Sequence, residues 1–387
     1  MTEFSPTHVH VHRSADREEQ RAFLRRALES FVRVKSKQVI ALKPNLCAPL
    51  PSQTGATTEL WIIEETAKFL RERRARPVLV EAPSHIHDYD QVMDVTGVRE
   101  LCKSMDIEMV DSRVHTMALR PLKHDDPKGR VYRVGMAALG ADGIIVLAKL
   151  KTHNRTQVTL GMKGLMGLLS WPDRHDFHRR GVEEDVVELY RRLRSRIRMT
   201  IIDGITAMEG HGPTNGRPVA MNSLLAGTDT VAVDAVGCHM MGFEPEDIHH
   251  IRLAHEQGLG NMKAKWQVHP EGTPLPVRPF ERARPDNGLR TKVISFPPLS
   301  AALRAARYGV RGRTFPALAP TAVGQVLTEE AAVCPTGALS LPASLDTTKC
   351  IGCGLCIDAS PGRVIKESGL QKARRLAREL AAAGGVR

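Results

Sequence analysis

Short apolar runs alternate with longer amphipathic stretches through the first two thirds of the chain. Residues 38–45 (QVIALKPN) are apolar at consecutive positions and close in a turn, as a strand buried on both faces would be. Residues 57–73 (TTELWIIEETAKFLRER) carry apolar residues at helical spacing, and the threonines at their start predict a helix cap. Residues 77–83 (PVLVEAP) and 107–111 (IEMVD) predict two further strands. Residues 140–153 (GADGIIVLAKLKTH) predict a strand that leaves into a polar loop. Residues 198–216 (RMTIIDGITAMEGHGPTNG) predict a strand feeding a Gly-rich loop, and residues 229–243 (DTVAVDAVGCHMMGF) a helix beginning near Asp229. Strands separated by helices define an α/β fold, a mainly parallel sheet with helices on both faces. Ligands bind such sheets beyond the carboxyl ends of the strands, which is where the polar motifs of this chain fall.

The pattern changes past residue 265. Residues 266–325 are rich in Pro, Arg and Gly and predict a linker. Residues 326–365 predict a small α+β ferredoxin-like cluster module, and residues 366–387 a basic amphipathic helix packed on the body. Residues 1–265 then form the α/β domain. Hydrophobic residues make up 42% of the chain but aromatics only 4%, so Val, Leu, Ile, Ala and Met must build the core. The first residues lack the basic and apolar regions of a signal peptide, and no apolar run approaches the ~18 residues of a membrane span. The cytoplasm is the expected location. Of the net charge of +12, residues 266–387 contribute +8, with 17 Lys and Arg against 9 Asp and Glu. No aromatic stacking platform accompanies this charge, so nucleic acid is not the expected partner. A docking face for an acidic electron donor and a plain solvated surface both fit it.

Four cysteines state the clearest chemistry. Cys350, Cys353 and Cys356 form a C-x-x-C-x-x-C run, and Cys334 stands upstream before Pro335. Bacterial ferredoxins use C-x₂-C-x₂-C-x₃-C-P, in which the fourth Cys of one run ligates the other cluster. Here Ser360 fills the fourth place beside Pro361, and Gly324, Leu327 and Glu330 fill the triplet that would precede Cys334. One cluster has lost all its ligands and the other keeps Cys334, Cys350, Cys353 and Cys356, which predicts one [4Fe–4S] cluster. Structural zinc is the competing use of four cysteines. Cys47, Cys102 and Cys238 stand alone and are expected to be small buried hydrophobes.

Three loops carry further candidates. His153 is expected in the loop after its strand and Lys163 near the start of a helix. Ten residues of unbroken helix turn about 1000°, so a bend is needed to bring both to one pocket, where they would share proton transfer or bind an anion. Asp203, Glu209, His211 and Asn215 lie in the expected Gly-rich loop. Asp229 and Asp234 are candidates for a cap, a helix-face acid or part of the pocket. Lys43 and Asn45 close the first strand of the sheet, and Thr57 and Thr58 precede the next helix, an arrangement suited to an anion. The segment WPDRHDFHRRG, with His175, His178, Arg179 and Arg180, reads as a mobile lid or substrate-contacting segment; a metal held by the two histidines at i, i+3 is the competing reading, with no acidic third ligand evident. Neither a Walker A sequence nor a G-x-G-x-x-G fingerprint occurs.

Taken together, ALKPN, TGATT, KLKTHNRTQVTLGMKGLMG, IIDGITAMEGHGPTNG and DTVAVDAVGCHMMGF resemble the DUF362 family, a prokaryotic group often fused to ferredoxin-type modules. The resemblance spans about residues 36–260 and implies an iron–sulfur protein with an α/β domain. Gly164 stands where an Asn commonly follows the motif lysine, and one cluster remains where many relatives have two. The interval from His153 to Lys163 is also distantly similar to lactate-racemase-type enzymes, whose equivalent pair holds a nickel-pincer nucleotide.

These features predict an iron–sulfur oxidoreductase acting on a small anionic molecule. Its expected partner is a ferredoxin-like or flavodoxin-like electron donor, and a homodimer is compatible with the chain. His153, Lys163, Asp203 and Glu209 are the expected proton carriers, and Lys43, Asn45, Thr57, Thr58, His211 and Asn215 the expected binding residues. Two alternatives stand beside this reading. One is a redox-neutral isomerase or lyase using His153 and Lys163 with a structural cluster. The other is an electron-transfer or accessory protein.

Overall fold

The computed structural model describes residues 4–84, 87–113, 116–119, 132–170, 173–174, 177, 182–283, 314–318, 339–340, 344–345 and 364–368. The chain divides into two compact units, Met1–Pro285 and Asp286–Arg387.

The first unit is an α/β sandwich around one mixed sheet. Its strands are β1 (His8–Arg13), β2 (Val39–Pro44), β3 (Arg76–Glu81), β4 (Glu108–Asp111), β7 (Gly143–His153), β8 (Gln157–Val158), β9 (Ile197–Glu209), β10 (Arg217–Gly227) and β11 (Lys265–His269). A separate pair, β5 (Thr116–Leu119) and β6 (Tyr132–Gly135), runs antiparallel. The sheet order is β11-β1-β10-β9-β7-β2-β3-β4, with β8 paired to β7. The five strands from β9 to β4 are parallel, β10 runs against both its neighbours β9 and β1, and β11 lies parallel to β1. The chain moves outward from β2 through β3 to β4, then returns to lay β7 on the other side of β2. The order therefore reverses between β2 and β7, the switch point at which sheets of this kind form a ligand crevice beyond their carboxyl ends.

Alternation along β7 builds both faces. Ile144, Val146, Ala148 and Leu150 enter one core, while Ile145 and Leu147 enter the other. The second core is closed by α1 (Arg17–Phe31), α2 (Leu60–Glu72), α3 (Tyr89–Val95) and α4 (Val98–Ser104). The first is closed by α5 (Met136–Gly140), α6 (Leu160–Gly164), α7 (Val182–Leu193), α8 (Thr230–Met240) and α9 (His249–Glu256). Past β11 an extended segment stays with this unit, where Phe280 joins the core and its amide bonds to the Met241 carbonyl at 2.9 Å.

Several local expectations change. Helix α2 begins at Leu60, and neither threonine caps it. Thr57 donates to the Leu50 carbonyl and Thr58 to the Leu147 carbonyl, so both tie the preceding loop down instead. Asp203 to Glu209 form strand and not loop, because β10 pairs with them from Asp203–Leu224 to Glu209–Arg217. The loop is confined to residues 210–216. His153 is the last residue of β7 rather than a loop residue.

In the second unit, β12 (Thr314–Leu318) pairs antiparallel with β15 (Val364–Ser368), and β13 (Leu339–Ser340) with β14 (Ser344–Leu345). Residues 366–368, expected to open a helix, belong to β15. Cys334, Cys350, Cys353 and Cys356 lie outside the described residues, as do His175, His178 and residues 369–387.

Candidate functional site

Five cationic side chains gather at the carboxyl ends of β2, β3 and β7. Lys43 is 2% exposed, Lys149 and Lys151 0%, and Lys163 9%; Arg174 is partly buried. Removing an ammonium from water costs several kcal/mol, so each needs a partner. Two have one. Lys149 Nζ lies 2.8 Å from Asp203 Oδ2, and Lys43 Nζ lies 2.8 Å from Glu81 Oε2. Both carboxylates are saturated. Asp203 also accepts the Glu59 amide at 2.7 Å and the Ile205 amide at 3.0 Å. Glu81 also accepts the amides of Leu46 at 3.1 Å and Ala82 at 2.8 Å. Asp203 thus anchors the start of α2 and neutralises Lys149.

The remaining three cations have no carboxylate among the described residues. Lys151 Nζ is held by the Ala56 carbonyl at 2.5 Å, Asn45 Oδ1 at 3.1 Å, Cys47 Sγ at 3.3 Å and the Pro213 carbonyl at 3.3 Å. Arg174 Nη1 donates to the carbonyls of Ala82 at 2.5 Å and Pro83 at 2.8 Å. Lys163 makes no hydrogen bond or ion pair among the described residues. Burial lowers its pKa to about 7, and Arg174, Lys151 and Lys43 push in the same direction while Cys47 opposes them. Burial likewise lowers Lys43, against the pull of Glu81, and lowers Lys151.

Local structure sets Lys163 in place. The turn after β7 passes through the left-handed region at Gln157 (φ 59°) and Leu160 (φ 45°), conformations costly for side chains of this size. Asp234 on α8 then grips the start of α6, accepting the Gly161 amide at 2.7 Å and the Met162 amide at 2.9 Å. Burial raises the Asp234 pKa to about 7, and the two amides oppose that rise. A Cβ at Gly161 would lie 2.8 Å from Asp234 Oδ1, so the grip requires glycine. The 3₁₀ turn Leu165–Leu168 follows, and a Cβ at its Gly167 would meet Glu81 Oε1 at 1.9 Å. Glycine there lets the turn lie directly against the Lys43–Glu81 pair.

Of the residues expected from sequence, Lys43, Asn45 and Lys163 belong to this cluster. Thr58 supports it by accepting the Asn45 amide at 2.9 Å. Thr57 is fully buried in a loop-holding bond. The largest charges acting on Lys163 are those of Arg174, Lys151, Cys47 and Lys43. His153 is 6% exposed, and its Nδ1 accepts the Arg155 amide at 3.1 Å. Glu209 faces Arg217 at 3.3 Å and Arg278 at 3.5 Å, in a separate ion cluster that includes Glu281. His211 and Asn215 are exposed on the 210–216 loop, linked by the Asn215 amide to the His211 carbonyl at 3.2 Å. Asp229 caps α8 through the amides of Val231 and Ala232.

Glu81, Lys149, Lys151, Cys47 and Arg174 escaped the sequence reading. A signal existed for four of them. Lys149 and Lys151 stand two apart inside an apolar strand, and Glu81 ends another, so each implied a buried charge needing a partner. Cys47 stands two residues past Asn45, just after the turn that Lys43 opens. Of the lone cysteines, Cys102 and Cys238 do sit in the cores, but Cys47 is partly exposed beside Lys151.

Fold and site together define an α/β protein with a cation-lined crevice at the switch point of its sheet. The chain belongs to the family described as Domain of unknown function (DUF362), which matches residues 40–239. It is 26% identical over 238 residues to the thylakoid-associated protein sll1697 of Synechocystis sp., covering 60% of this chain and 72% of that protein. Among solved structures it is similar to the lactate racemase apoprotein from Thermoanaerobacterium thermosaccharolyticum, with a TM-score of 0.37 and 14% identity. That match covers 61% of this chain and 58% of the racemase chain. No helix among the described residues is long and apolar enough to cross a membrane.

Proposed function

We propose that this protein is an iron–sulfur oxidoreductase that binds a small anionic substrate at the carboxyl edge of its sheet. The observation that carries the pocket reading is the trio Lys151, Lys163 and Arg174, cations taken from water that form no ion pair with a carboxylate among the described residues. An anionic ligand would supply the missing charge and would raise the Lys163 pKa from about 7. Lys163 is then placed to release or take up a proton as charge on the substrate changes. Lys43, held by Glu81, adds positive field without being consumed.

The redox part of the reading rests on the spacing of Cys334, Cys350, Cys353 and Cys356, which suits one [4Fe–4S] cluster. When bound, the cluster supplies single electrons; a ferredoxin-like or flavodoxin-like donor would feed it. A redox-neutral isomerase or lyase is the second reading. It is favoured by an amine that titrates near neutrality and so can act as a base.

Anaerobic purification, iron and sulfide counting, and dithionite titration followed by EPR test the first reading. A reducible cluster whose signal survives Lys163→Met supports it. A chain without iron, or with a cluster inert to every reductant, removes the oxidoreductase.

A further inference from the structure

The cations at the crevice are not evenly matched. Among the described residues, Lys43, Lys151, Lys163 and Arg174 face one carboxylate, Glu81, an excess of three positive charges, or two when Lys163 is neutral. Lys149 is cancelled by Asp203, and Arg113, which also acts on Arg174, is cancelled by Asp111 at 2.6 Å. Lys43 pairs with Glu81, Arg174 grips the Ala82 and Pro83 carbonyls beside it, Lys151 holds Asn45 and Cys47 just past Lys43, and Lys163 lies four residues before Gly167, which packs on the Lys43–Glu81 pair. They therefore converge on one locus rather than on two separated ones. A single carboxylate would leave part of the excess unmet.

We propose that the group held here is a compact dianion, a phosphoryl group carried by a small molecule. This rests on the reading of the crevice as an anion site and narrows it. The donors divide into two kinds. Lys151 spends its N–H groups on Ala56, Asn45, Cys47 and Pro213 and serves as a fixed field. Among the described residues Lys163 has no partner for any of its N–H groups, and Arg174 has none for Nε and Nη2 while its Nη1 is tied to Ala82 and Pro83. Lys163 and Arg174 are thus the direct contacts. A planar guanidinium and an ammonium together suit the oxygens of a tetrahedral anion.

The test is calorimetric titration of the full-length, anaerobically purified protein with inorganic phosphate, sulfate, succinate and acetate at pH 7.5. Phosphate and sulfate are expected to bind roughly tenfold or more tighter than acetate, the difference one charge-assisted hydrogen bond makes. Succinate, whose charges stand apart, is expected to stay near acetate. Lys163→Met and Arg174→Gln should each weaken phosphate binding by a similar factor. Removing an unmatched buried cation should also leave Lys163→Met with a higher melting temperature than the parent without ligand, which shows that the variant folds. Acetate or succinate matching phosphate would overturn the dianion while leaving the anion site. No binding of any probe would overturn both. Phosphate binding unchanged in both variants would move the site elsewhere.

Discussion

Lys163 sits where its charge is least welcome. Its amine titrates near 7 in the folded chain against an ordinary value of 10.5. Between those values the unfolded chain holds more protons than the folded one, so the contribution of Lys163 to stability climbs as pH rises from about 7. The urea midpoint of the ligand-free protein should therefore increase between pH 7 and pH 9 by more than that of Lys163→Met. At pH 7 the variant should be the more stable by about 1–4 kcal/mol, the range found when buried ions give way to apolar side chains. Equal slopes in the two proteins would mean that Lys163 stays protonated across that range, as a solvated lysine does. Lys163 and Lys43 were legible because each stands in a Gly- or Pro-marked turn after an apolar run. Arg174 was not, since its role depends on the carbonyls of Ala82 and Pro83, about ninety positions away.

At the scale of elements, α6 has only five residues, too few to hold a helix by itself. Asp234 does that work from α8 with two charge-assisted bonds. Asp234→Ala should cost roughly 3 kcal/mol, because two buried amides lose their acceptor. It should also weaken phosphate binding as Lys163→Met does, and urea titration with calorimetry reads both effects. Gly167→Ala should leave the strands intact but separate the 3₁₀ turn from the Lys43–Glu81 pair, visible as weaker phosphate binding with a small change in melting temperature. The strands and major helices were readable from apolar periodicity, since β2, β3, β7 and α8 follow it closely. The segment from Asp203 to Glu209 was not. Its glycine and polar residues read as loop, and only pairing with β10, set by the whole sheet, makes it strand.

Across the whole molecule, the position of the crevice follows from strand order alone. Sequence predicted ligands at the carboxyl edge; the reversal between β2 and β7 selects one place along it, and no local pattern encodes that order. The crevice side chains described above belong to the unit Met1–Pro285, whereas the four cysteines proposed to hold a cluster belong to Asp286–Arg387. The two activities should separate genetically. Cys350→Ala should lose its iron and sulfide, about four of each per chain by the chemistry of a [4Fe–4S] cluster, yet keep its affinity for phosphate. Coincident loss of both would mean that the crevice cannot form without the cluster.

The four acceptors around Lys151 come from two stretches of chain, residues 45–56 and the loop at Pro213. One ammonium thus rivets the margins of the crevice together before any guest arrives. A preorganised cavity of this kind needs no closing movement, so stopped-flow mixing should show a single bimolecular phase whose rate stays proportional to ligand concentration.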